Sequence, residues 1–239
     1  MLKKTAAFLF TIIMFFAPLN AGAGAYAWGD KIPAPVGFAG INAAFSIMGY
    51  TFSRRLFTNA TEGGADLYFG ETKAERYAEA LPEHIAGQIR QDVSYQNAER
   101  EVMEAAKKSE DKRAVKHYKN IKVSAKNDAH FSFNNFSYGV SIEAEHIRDD
   151  IFKIYVAAGD RYDFHGVFDD NNYFINNGNQ FALKQQALNA IKNFDVHIGF
   201  IYYTQHAHDW SRESGICSIC RKTLINNHLI DINLYDSGR

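Results

Sequence analysis

Two carboxylates and a phenol stand close together in Asp160-Arg161-Tyr162-Asp163-Phe164. Paired carboxylates can hold a divalent cation through oxygen, and one of them can orient or deprotonate a water. His165 follows at once and offers a further acid or base. The same residue types also have a structural reading, because aspartate is a habitual turn former and Tyr162 and Phe164 could pack beneath such a turn. On an extended backbone Asp160 and Tyr162 would share one face and Asp163 the other. A turn beginning at Arg161 is therefore expected if all three are to converge.

The elements around this segment are legible from their periods. Tyr138, Val140, Ile142, Ala144 and His146 alternate with small or acidic residues, as in a half-buried strand. Arg148-Asp149-Asp150 supplies a turn, and Phe152, Ile154 and Val156 alternate in the returning strand. This predicts an antiparallel hairpin whose second strand delivers Asp160 to its end. An Asp- and Asn-rich loop follows from His165. A helix is predicted from about Gln180, with Leu183, Ala187, Ile191 and Phe194 in one stripe. Val196, Ile198, Phe200 and Tyr202 predict a further strand, and Thr223 to Tyr235 predicts an edge strand.

Earlier in the chain, Lys73 to Lys119 is rich in good helix formers, with Pro82 placed to open a helix and Ile85, Ile89, Val93 and Met103 along a stripe. Thr58 to Gly70 reads as a loop. The apolar stretch Ile32 to Phe52 is marginal as a membrane span and is expected to be buried or docked on a surface. The prediction is an α+β fold with a signal peptide at 1–25, a mainly helical region at 26–120 and an antiparallel sheet domain with one packed helix at 121–239.

Lys3 and Lys4, the apolar run Ala6 to Leu19 and the small residues Ala21 to Ala25 have the order of a secretory signal. The expected address is the periplasm or outside the cell. There Cys217 and Cys220 would pair as a short disulfide. The alternative is zinc shared by these cysteines with His206, His208 and His228. A formal net charge of −1 and the lack of a basic stripe argue against a nucleic-acid partner.

The hairpin, the Asp-x-Tyr-Asp segment 160–163 and the helix and strand that follow resemble the catalytic domain of colicin M and related bacteriocins. The resemblance covers about Tyr138 to His206. It implies cleavage of a lipid-linked peptidoglycan precursor, lipid II, between polyprenyl chain and pyrophosphate, with Mg²⁺ as cofactor. In that reading Asp160 and Asp163 hold metal or activate water, Tyr162 positions phosphate and His165 serves as acid or base. The partners implied are the lipid-linked precursor at the membrane surface and an immunity protein. The family's His-Arg pair after the second aspartate is replaced here by His165-Gly166-Val167-Phe168-Asp169. The alternative is a non-catalytic exported module that uses the same fold to bind the envelope or a partner.

Overall fold

The computed structural model describes residues 32–133, 136–148, 151–164, 173–204, 222–225 and 228–231. Helices α1 (Ala34–Met48) and α2 (Thr51–Glu62) are followed by strand β1 (Leu67–Gly70). Then come α3 (Glu83–Arg90), α4 (Val93–Lys108), β2 (Arg113–Tyr118) and the short α5 (Asp128–Phe133). The hairpin β3 (Gly139–Arg148) and β4 (Ile151–Tyr162) leads to α6 (Tyr173–Ala187) and β5 (Phe194–Tyr203). A small hairpin, β6 (Lys222–Ile225) and β7 (His228–Asp231), ends the described chain. This is an α+β architecture, as the sequence pattern predicts.

The main sheet has the order β1-β5-β4-β3-β2. It is antiparallel except at one edge, where β1 runs parallel to β5 with Leu67 opposite Val196. The mixed edge corrects the expectation of a wholly antiparallel sheet. Both edge strands, β1 and β2, come from the first half of the chain. The expected boundary at residue 120 therefore cuts through one sheet. The second half also does not add its last strand to that sheet, because β6 and β7 pair only with each other. Helix α6 begins at Tyr173, several residues before the expected start near Gln180.

Period-two alternation gives the sheet two different faces. On the inner face Val140, Ile142, Ala144, Ile154, Val156, Val196 and Ile198 are buried in the core. Helix α4 covers β2 and β3 with Ala98, Val102 and Ala106, and Tyr95 at its start is wholly buried. Val93, placed on the apolar stripe by its spacing, is instead exposed at the first position of α4, after a new N-cap at Asp92. Phe52, Leu56, Phe57 and Ala60 of α2 complete the cover with Phe133 and Phe136.

Helix α2 is fixed by a distant side chain rather than by its own cap. The carboxylate of Asp128, buried at the start of α5, accepts the backbone N–H of Phe52 at 2.9 Å and of Ser53 at 2.7 Å. It also accepts Ser53 Oγ at 2.6 Å and meets His84 Nε2 at 3.0 Å. The unpaired donors of a helix N-terminus are thus met by an acid whose charge the helix dipole favours.

Candidate functional site

Strand β4 does not bend at Arg161. It stays paired with β5 through Arg161 opposite Asp195 and Tyr162 opposite Phe194. The alternation of a straight strand follows: Asp160 and Tyr162 turn inward and Arg161 turns outward. This corrects the expected turn, and with it the expectation that the phenol shares one pocket with both carboxylates. The ring of Tyr162 lies edge-on to Phe164 at 5.6 Å and against Phe194 at 5.1 Å. Burial pushes its hydroxyl pKa up, so it stays a neutral phenol.

Asp160 is 7% exposed. Its Oδ1 accepts Ser137 N–H at 2.9 Å, Ser137 Oγ–H at 2.6 Å and the N–H of Arg161 at 2.9 Å. Ser137 Oγ also accepts from Arg161 N at 2.8 Å, which ties the entry of β3 to the exit of β4. Loss of solvent raises the Asp160 pKa to about 7, the three hydrogen bonds oppose that rise, and the charge of Asp163 adds to it. Asp163, half-buried just past the strand, is thus close enough for the two carboxyls to feel each other. Oδ1 collects the three bonds, leaving Oδ2 as the oxygen that would carry a proton or meet a cation. His165 lies outside the described residues, as do Cys217, Cys220, His206 and His208, and the side chain of His228 in β7 is likewise not described.

Among the described residues no group of three or more His, Cys, Asp and Glu side chains is gathered to hold a metal. Mg²⁺ does not need one, because it is commonly held by one or two carboxylates with substrate oxygens and water. Asp163 and Oδ2 of Asp160 have the donor chemistry for that mode, so the residues present fit the ion. No family model, curated protein or solved structure matches the chain. Support for a function therefore comes from the Asp160-Arg161-Tyr162-Asp163 segment and the surroundings of its side chains.

The outer face of the sheet carries a second group that the strand pattern alone does not announce. His197 lies parallel to Tyr68 at 4.8 Å, and the ring of Tyr138 is nearly parallel to it at 6.3 Å. Tyr138 and His197 close over Gly159, where an added Cβ would meet them at 3.2 and 3.3 Å. Tyr138 Oη donates to Asp195 Oδ1 at 2.8 Å, and Arg161 Nη1 donates to the same oxygen at 3.2 Å. The hydrogen bond to Asp195 raises the Tyr138 pKa. Two signals in the sequence could have found this face. Asp195, His197 and Gly199 alternate with the apolar Val196, Ile198 and Phe200, and a glycine stands mid-strand at 159. A strand glycine often marks a close approach of another group.

Proposed function

We propose that the chain is an exported phosphodiesterase of colicin M type, acting on a polyprenyl-pyrophosphate-linked peptidoglycan precursor, with Asp160 and Asp163 as its reacting carboxyls. One observation supports this best: Asp160, at the exit of β4, has its pKa raised to about 7, chiefly by burial, with the charge of Asp163 adding to the rise. A group titrating there can take or give a proton at neutral pH. Two neighbouring carboxyls also separate their roles, since repulsion favours one protonated and one ionised member. Asp160, the more buried, is the proton carrier. Asp163, the more open, orients the attacking water. When Asp160 is protonated, the carboxylate of Asp163 would be the group to hold Mg²⁺, and the ion would supply positive charge to the pyrophosphate leaving group. Tyr162 acts as the floor beneath the pair rather than as a phosphate ligand, since its ring is packed on Phe164 and Phe194.

The test is incubation of the protein with lipid II and Mg²⁺. Polyprenol should be released by the parent protein, and release should fall at least a hundredfold in Asp163→Ala, a typical loss for one acid–base group. No release, or equal release by the variant, ends the proposal. A second reading has its own support. The locked bonds from Ser137 to Asp160 are what a purely structural turn requires. On that reading the protein is a non-catalytic exported module, and an immunity-type or envelope partner would bind its outer sheet face. Loss of partner binding on Arg161→Ala, with no hydrolysis by any variant, would favour it.

A further inference from the structure

From Ile32 to Ser53 the sequence has no charged side chain, and Arg54 and Arg55 follow directly. Helix α1 occupies most of that stretch. One side of it is accounted for by packing. Phe38 meets Phe57 at 6.0 Å and Phe181 at 5.9 Å, Phe45 meets Phe57 at 6.2 Å, and the Phe181 ring fills the space beside Gly37. The other side carries Val36, Gly40, Ala43 and Ile47 at helical spacing, with Ala39 and Ser46 at its margin, and the Ser46 hydroxyl is turned back onto the helix, donating to the Asn42 carbonyl at 2.9 Å. Val36 is 36% and Ile47 57% exposed, and Met48 at the end is 43% exposed. A helix facing water carries charged or polar residues along its outer side, whereas the outer side of α1 is uncharged and mainly apolar, as on a helix with a cover.

We infer that this cover is a lipid bilayer surface, on which α1 lies flat. The helix is too short to cross a membrane, and no described helix is long and apolar enough to do so. An interfacial helix instead buries one apolar side among the acyl chains and is helped by nearby cations. Arg54, exposed at the start of α2, supplies a positive charge at the C-terminal end of α1. The apolar run Ala6 to Leu19 stands shortly upstream, and as the secretory signal whose order it has, it would bring the chain to a membrane ahead of α1. A second copy of the chain fits less well. The outer side of α1 spans about 22 by 10 Å, far short of the roughly 800 Å² per partner of a stable interface.

The placement also bears on the proposed chemistry, and this part rests on the catalytic reading as the preceding one rests on export. An aromatic row, Phe38 to Phe57 to Phe164 to Tyr162, joins α1 to the strand exit that carries Asp160 and Asp163. A helix lying on the bilayer would tether that corner to the surface on which a lipid-linked pyrophosphate is found.

The test uses the protein as recovered after export and vesicles of phosphatidylethanolamine and phosphatidylglycerol with brominated chains. Ile47→Trp reports from α1, and Val115→Trp, 67% exposed on β2, reports from another surface. After subtraction of the parent signal, Ile47→Trp emission should shift to the blue and be quenched severalfold more than that of Val115→Trp. Ala43→Glu in the Ile47→Trp background should remove the quenching while circular dichroism stays unchanged. Arg54→Glu should weaken it at low salt. Equal quenching of the two tryptophans, or none, overturns the inference. A lipid-independent dimer broken by Ala43→Glu overturns it in favour of self-association. Hydrolysis does not enter the readout, so failure of the catalytic proposal would leave this result standing.

Discussion

At the scale of single residues, Asp160 should govern a measurable part of the pH dependence of stability. In the unfolded chain it would hold its proton only below about pH 4. In the folded chain it holds the proton up to about pH 7, chiefly because burial disfavours the anion. Between those values the folded state binds more protons than the unfolded one. The stability linked to this residue is therefore complete below about pH 4 and is lost as the pH rises through about 7. The slope is roughly 1.4 kcal/mol per pH unit in the middle of that window. Asp160→Asn keeps an oxygen for the Ser137 and Arg161 donors but cannot ionise. Urea melts from pH 4.5 to 7.5 should show the variant with a flatter profile than the parent, and parallel profiles would show that burial does not hold the proton. The acid pair itself was legible, since Asp160 and Asp163 stand three residues apart after a clear strand. The outer group was legible only in part: His197 and Gly159 carry a strand signal, but their meeting with Tyr68 and Tyr138 exists only once β1, β5 and β3 are in register.

At the scale of elements, local period was informative wherever one face of a segment is wholly apolar. The β3–β4 hairpin follows from this, and so does β5. Strand β2 escaped because its inner face carries Ala114, Lys116 and Tyr118, which read as part of the charged helical region before it. Lys116 reaches Glu101 of α4 at 2.6 Å, and Tyr118 Oη donates to the carbonyl of Ala98 at 3.1 Å, so long amphipathic side chains do the packing there. Strand β1 has only four residues and is recruited by β5. The straight run of β4 past Arg161 has the same origin, since pairing with Asp195 and Phe194 outweighs the turn preference of aspartate. Helix α2 depends in turn on Asp128, which no local motif identifies as its cap. Asp128→Ala would strand the N–H groups of Phe52 and Ser53 and remove the partner of His84. The expected loss is about 2–4 kcal/mol by urea denaturation, above that of an ordinary exposed cap because the donors are buried. A loss below about 0.5 kcal/mol, the usual effect of a neutral surface change, would show that α2 is held by packing alone.

At the scale of the whole molecule, the composition shift near residue 120 marks a change of secondary structure within one sheet. Helix-forming residues dominate before it and β-branched and aromatic residues after it, which invites a division into two parts. Long-range pairing overrides that local signal. Leu67 to Gly70 close one edge against Val196 to Gly199, and Arg113 to Tyr118 close the other against Val140 to Glu145. Asp66 Oδ1 also accepts the N–H of Asp195 at 2.8 Å, tying the entry of β1 to β5. A fragment of residues 121–239 would keep β3, β4 and β5 but lose both edges and the cover of α2 and α4. Val140, Ile142, Ile154, Val156 and Ile198, each at most 1% exposed in the whole chain, would then face water. Two new unpaired edges beside such a surface favour aggregation over folding. The expected result is that the full chain unfolds in one cooperative transition, whereas the fragment gives no cooperative melt and little near-ultraviolet dichroism. A fragment that melts cooperatively as a monomer would mean that the inner face finds its own cover. In that case the edge pairings with the first half would be secondary to a core that the second half builds for itself.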